Sequence, residues 1–88
     1  MKRNYEDPVY KEWRKKVYAR DRFKCQMPQC GSNFRLQAHH IRKWSNAAML
    51  RYDVENGITL CRSCHEKVTG HEHLYESLFS QIARKNSG

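Results

Sequence analysis

The sequence predicts a small α+β domain, and three observations carry that expectation. Apolar residues recur at helical spacing near both ends of the 88-residue chain. Between them lie two short stretches of strand character, 34–39 and 58–60. Four cysteines fall in two close pairs, Cys25-x4-Cys30 and Cys61-x2-Cys64. Each pair can give two thiolates to one tetrahedral zinc. A chain this short is read as one domain, residues 1–88, whose limited core calls for a staple. A structural zinc supplies it, because its binding energy becomes folding energy.

The elements follow in order. Asp7-Pro8 opens the first helix, since Asp is a favoured N-cap and Pro suits the first helical position. Val9, Tyr10, Trp13, Val17 and Tyr18 form its apolar stripe, and the helix runs to about Arg20. Residues 25–34 hold the first cysteine pair and the turn signal Cys30-Gly31-Ser32-Asn33. Phe34 to His39 alternates apolar and polar residues, as a half-buried strand does. Ser45-Asn46 is expected to cap a short turn, and Asn56-Gly57 reads as a turn before the second strand, Ile58-Thr59-Leu60. A helix begins near Arg62, carries Cys64, His65 and Val68, and ends at Gly70. Leu74, Tyr75, Leu78, Phe79 and Ile82 mark a last amphipathic helix, with residues 85–88 expected to fray.

Composition narrows the function. Seventeen Lys and Arg against nine Asp and Glu give a formal charge of +8. Nine of the basic residues fall in the first 24 positions. Such a field attracts polyanions, of which nucleic acid is the commonest soluble one; the plain rival is a solvated basic face. No apolar run approaches the ~20 residues that cross a bilayer, and Met1-Lys2-Arg3-Asn4-Tyr5 leads into no signal-peptide stretch. The expectation is a cytoplasmic protein without a membrane partner. In a reducing compartment the four cysteines are metal ligands rather than two disulfides.

The interval between the pairs is informative. An ordinary zinc ribbon separates its pairs by roughly 15–20 residues. Here thirty residues lie between Cys30 and Cys61, enough for a strand, a long loop and a second strand. His39-His40 ends the first strand and Asn56 precedes the second. His65 directly follows Cys64, so whatever holds Cys64 also holds the backbone of His65.

Four segments carry a family resemblance. Arg20-Asp21-Arg22-Phe23-Lys24-Cys25, Ala38-His39-His40-Ile41, Asn56-Gly57-Ile58-Thr59-Leu60-Cys61 and Cys64-His65-Glu66-Lys67 resemble, in order and spacing, the HNH endonucleases. The resemblance spans about Trp13 to Lys67. It implies a ββα-metal site, in which a hairpin packs on a helix around one divalent cation. On matching positions His39 is a metal ligand, His40 the general base and His65 a second ligand. Asn56 braces the loop and helps orient His40, or contributes to the metal's surroundings. The implied cofactors are the structural zinc and one catalytic cation: Mg2+, Mn2+, Ni2+ or Zn2+. Many members carry Asp where this chain has His39, and two imidazoles suit the softer metals. Where some members add a third ligand this chain has Thr69, a poor one.

The resemblance further implies double-stranded DNA as substrate and 5′-phosphate and 3′-hydroxyl ends as products. It covers small stand-alone phage and bacterial proteins. A monomer with one centre would nick; a dimer or a packaging-protein partner is the other arrangement. Elementary chemistry agrees with the roles. Phosphodiester hydrolysis needs an activated water and relief of charge at phosphorus and at the leaving oxygen. A neutral imidazole serves the first need and a cation the second. Neighbouring strand residues point to opposite sides, so one His-His dipeptide can fill two roles. Arg42, Lys43, Arg51 and Lys67 flank the site and are the candidate DNA contacts; Trp44 is expected to pack under the loop, with stacking on a base as the alternative. His71 and His73 read as surface residues. The rival from another class is a non-catalytic zinc-stapled DNA-binding module, which has no need of His40.

Overall fold

The computed structural model describes residues 8–42 and 52–87. Helix α1 (Pro8–Arg20) leads into a cysteine-bearing loop and strand β1 (Leu36–His40). A 3-10 turn (Val54–Asn56) precedes strand β2 (Gly57–Cys61), which passes directly into helix α2 (Arg62–Val68). Helix α3 (Glu72–Ser87) closes the chain. The Asp7 cap, the Ser45-Asn46 turn and Trp44 lie outside the described residues, as do two candidate DNA contacts, Lys43 and Arg51.

The strands form one antiparallel hairpin, with Leu36 opposite Cys61, Ala38 opposite Thr59, His39 opposite Ile58 and His40 opposite Gly57. Every residue of β2 is buried, because helices cover both faces of the hairpin. On one side Tyr10, Trp13 and Val17 of α1 pack with Ala38, Tyr52 and Val54. On the other, Ile58, Leu60, Val68, Phe79 and Ala83 form a second cluster with the buried cysteines. Thus a two-stranded sheet, marginal alone, gains stability from apolar contact on two sides.

Local chemistry explains the element ends. After Arg20 the chain turns through left-handed conformations at Arg22 and Phe23, while the amides of residues 21–23 bond the carbonyls of Val17, Ala19 and Tyr18. Gly70, at φ +86°, breaks the chain between α2 and α3, where a side chain would be strained. Asp53 caps the 3-10 turn by accepting the Glu55 amide at 2.9 Å.

Several details depart from the sequence expectation. Val9 is 53% exposed, so the buried stripe of α1 is narrower: Tyr10, Trp13 and Val17. Phe34 precedes β1 and is 67% exposed, because Arg35 takes a left-handed φ of 52° and only then does the strand begin. Leu74 and Leu78 face out from α3. Residues 85–87 do not fray: α3 runs to Ser87, and Asn86 Nδ2 donates to Asp21 Oδ1 at 3.0 Å and Gln26 Oε1 at 2.9 Å. Gly57 is not a turn residue but the first residue of β2, in an extended conformation.

Candidate metal centres and active site

The cysteine cluster forms at one end of the hairpin. Cys25 and Cys30 sit on a loop folded back on itself: the Cys25 amide donates to Ser32 O at 2.7 Å and the Cys30 amide to Met27 O at 3.0 Å. The Gln26 amide donates to Thr59 O at 2.9 Å, which pins the loop to β2. Cys61 ends β2 and caps α2, and Cys64 lies one turn later. The four sulfurs lie within 4.8 Å of one another. Cys30 Sγ and Cys61 Sγ are 3.8 Å apart, far beyond a disulfide bond. A zinc–sulfur bond near ~2.3 Å sets tetrahedral sulfur–sulfur edges at roughly 3.8 Å, so the donor set fits zinc. The Cys61 thiol is pulled down to about 7, chiefly by the Cys64 amide donating to its sulfur. Burial pushes the Cys25 and Cys64 thiols up, the cost of gathering sulfurs away from water.

The histidines gather at the opposite end. Alternation along β1 sends His39 and His40 to opposite faces. His39, 8% exposed, turns toward α2 and α3: its ring meets His65 edge-on at 5.5 Å between centroids and Phe79 at 5.8 Å. His40, 6% exposed, turns toward α1 and stacks on Trp13 at 4.1 Å, with only 10° between the planes. His65 is half-buried on α2, one residue beyond Cys64. The fold thus brings the His39 and His65 rings together, while among the described residues the cysteines form the cluster of donors that could hold a metal ion.

Asn56 is buried and ties the loop that leaves β1 to the strand that returns. Its Oδ1 accepts the Arg42 amide at 2.9 Å, its Nδ2 reaches Arg42 O at 3.4 Å, and its own carbonyl accepts the Ile41 amide at 2.8 Å. These bonds continue the hairpin ladder two residues past His40. The Thr69 hydroxyl donates to His65 O at 2.8 Å, closing the end of α2 beneath the histidine.

These features match a known pattern. Residues 25–70 match the family model described as HNH endonuclease. That segment covers just over half of the chain. The chain belongs to the HNH endonuclease family. No curated protein and no solved structure matches it. The two-stranded hairpin followed by a helix, with its four-cysteine cluster, is the α+β arrangement that the sequence predicts. Among the described residues, no helix of this HNH protein is long and apolar enough to cross a membrane.

The candidate DNA contacts that are described lie two residues beyond His40 and His65 in the chain. Arg42 is exposed and pairs with Glu76 of α3 at 3.3 Å; Lys67 is exposed on α2. Sequence reasoning missed a buried polar hub. Arg20 forks onto Asp21 at 2.8 and 2.7 Å and donates to the carbonyls of Val54 and Gly57 at 2.8 and 2.7 Å. Asp21 Oδ2 also accepts the Thr59 amide at 2.9 Å. The hub therefore binds the end of α1 to Val54 and Gly57, on either side of Asn56. An adjacent Arg-Asp pair was visible, but nothing in its spacing says that it turns inward. Trp13 was legible as core and no more.

Proposed function

We propose that this HNH protein is a metal-dependent endonuclease that hydrolyses phosphodiester bonds of double-stranded DNA, one strand at a time. The observation that carries the reading is the division of labour at the end of β1. His39 lies beside His65 on one face, and His40 is held by α1 on the other. His39 and His65 would hold the catalytic cation, whose chemistry when bound is to draw charge from the phosphate and the leaving 3′ oxygen.

His40 takes the proton of the attacking water, a role open to a neutral imidazole at neutral pH. Asn56 keeps the backbone beyond His40 in register, so that the imidazole and the phosphate meet at a constant angle. Arg42 and Lys67, with Lys43 and Arg51, attract the DNA backbone. A chain with one such centre cuts one strand per encounter, leaving 5′-phosphate and 3′-hydroxyl ends.

The test is supercoiled plasmid, and separately labelled RNA, incubated with Mg2+, Mn2+ or Ni2+, with and without chelator. Nicked circles are expected before linear product in at least one metal, with no cleavage by His40→Ala despite retained DNA binding. Absence of cleavage in every metal would leave a zinc-stapled DNA-binding module. RNA cut in preference to DNA would move the substrate class.

A further inference from the structure

Trp13 does more than fill the core. Its indole is held on three sides. Its Nε1–H donates to the Asp53 carbonyl at 2.9 Å, just before the 3-10 turn. Its six-membered ring lies over Gly57 beside Val17, and an added Cβ there would come within 2.6 Å of both Trp13 Cζ2 and Val17 Cγ2. Its face lies parallel to the His40 imidazole. Tyr10 flanks the stack, 5.6 Å from Trp13 and 6.5 Å from His40. His40 and Gly57 are directly opposite in the hairpin. The missing side chain at Gly57 therefore leaves the room that the indole occupies beside His40.

We propose that Trp13 is a positioning residue for the cleavage reaction: its indole, seated on Gly57 and anchored to Asp53, sets the plane of the His40 imidazole. The proposal rests on His40 being the base. A flat partner at stacking distance removes rotation about the Cβ–Cγ bond, the torsion that aims the ring nitrogens. Only a ring whose nitrogen is aimed at the water transfers its proton efficiently, and small misplacements of catalytic groups cost large factors in rate. A positioning role predicts loss of kcat, with little change in DNA affinity.

The experiment compares Trp13→Phe, Trp13→Leu and Gly57→Ala with the wild type and His40→Ala. It reads single-turnover cleavage at saturating DNA, apparent KM, zinc content and the proton spectrum of His40. Phe keeps a flat ring but loses the Asp53 bond and part of the indole's area; cleavage within about threefold of wild type is expected. Leu keeps apolar bulk without a plane. It is expected to lower kcat about tenfold or more while KM moves less than about twofold. The His40 ring protons should lose the upfield shift imposed by the indole in the Leu variant and keep one in the Phe variant. Gly57→Ala crowds the indole and Val17 alike, without altering either, and should lower kcat in the same direction. Should Leu not fold, Phe and Gly57→Ala decide. Wild-type kcat in folded Trp13→Leu or Gly57→Ala, beside an inactive His40→Ala, overturns this proposal alone. Full cleavage by His40→Ala overturns both this proposal and the reading of His40 as base.

Discussion

The two ends of the hairpin hold donor atoms in different ways. At the Leu36–Cys61 end, four sulfurs close around one point, and two of their carriers lie on a loop with no other regular structure. At the His40–Gly57 end, two imidazoles meet on one face while a third is stacked away on the other. A closed set of four donors suits a structural ion; an incomplete set leaves positions for water and substrate. The difference teaches that one short hairpin can carry a closed sulfur cluster at one end and, on the function proposed above, a reactive centre at the other. Helix α2 starts from the first end and carries Cys64, and its next residue reaches the second.

That contrast can be broken at neighbouring residues. The largest effect is expected from Cys64→Ser or strong chelation. Losing a thiolate from the cluster removes the staple of a small core, and the domain should unfold, read as collapse of the far-ultraviolet circular dichroism transition and release of zinc. His65→Ala, one residue away and only half-buried, should leave the fold within about 1 kcal/mol of wild type. Its cleavage should fall by at least about 100-fold, since even residues that only support a metal ligand cost about 10–100-fold. Equal unfolding by both variants would mean that the two ends are one structural unit.

Asn56→Ala sharpens the comparison from the loop side. It leaves the Arg42 amide without its side-chain acceptor and should cost about 1–3 kcal/mol in denaturant unfolding. Zinc content should not change, because the cysteine end is remote from that bond. The smallest effect is expected from Arg42→Ala. Its ion pair with Glu76 is solvent-exposed, so stability should change by less than about 1 kcal/mol. DNA affinity should weaken, and the slope of log affinity against log salt should become shallower by about one if Arg42 meets a phosphate.

Much of the architecture is legible in the chain because its signals are local. The spacing of Tyr10, Trp13 and Val17 marks α1. The alternation that ends in His39-His40 marks β1, although its first residues misled: Phe34 is exposed, since the left-handed backbone at Arg35 shifts the strand's start. The cysteine spacing alone points to one cluster, since two close pairs in a reducing compartment are metal ligands rather than disulfides. Gly57 shows the limit. In sequence Asn56-Gly57 resembles a turn, but the glycine answers to Trp13 and Val17, forty or more residues earlier.

What the sequence by itself determined, then, was the set of elements, the sulfur donors and the candidate histidines, all consequences of periodicity and short spacing. Only the tertiary structure decided what those histidines touch. Alternation separates His39 from His40, but α2 and α3 place His65 and Phe79 beside one, and α1 places Trp13 beside the other. The Arg20–Asp21 hub and the covering of β2 on both faces likewise depend on contacts across many residues. The physical reason is that burial is a property of what packs against a residue, and for this hairpin the packing comes from helices remote in the chain.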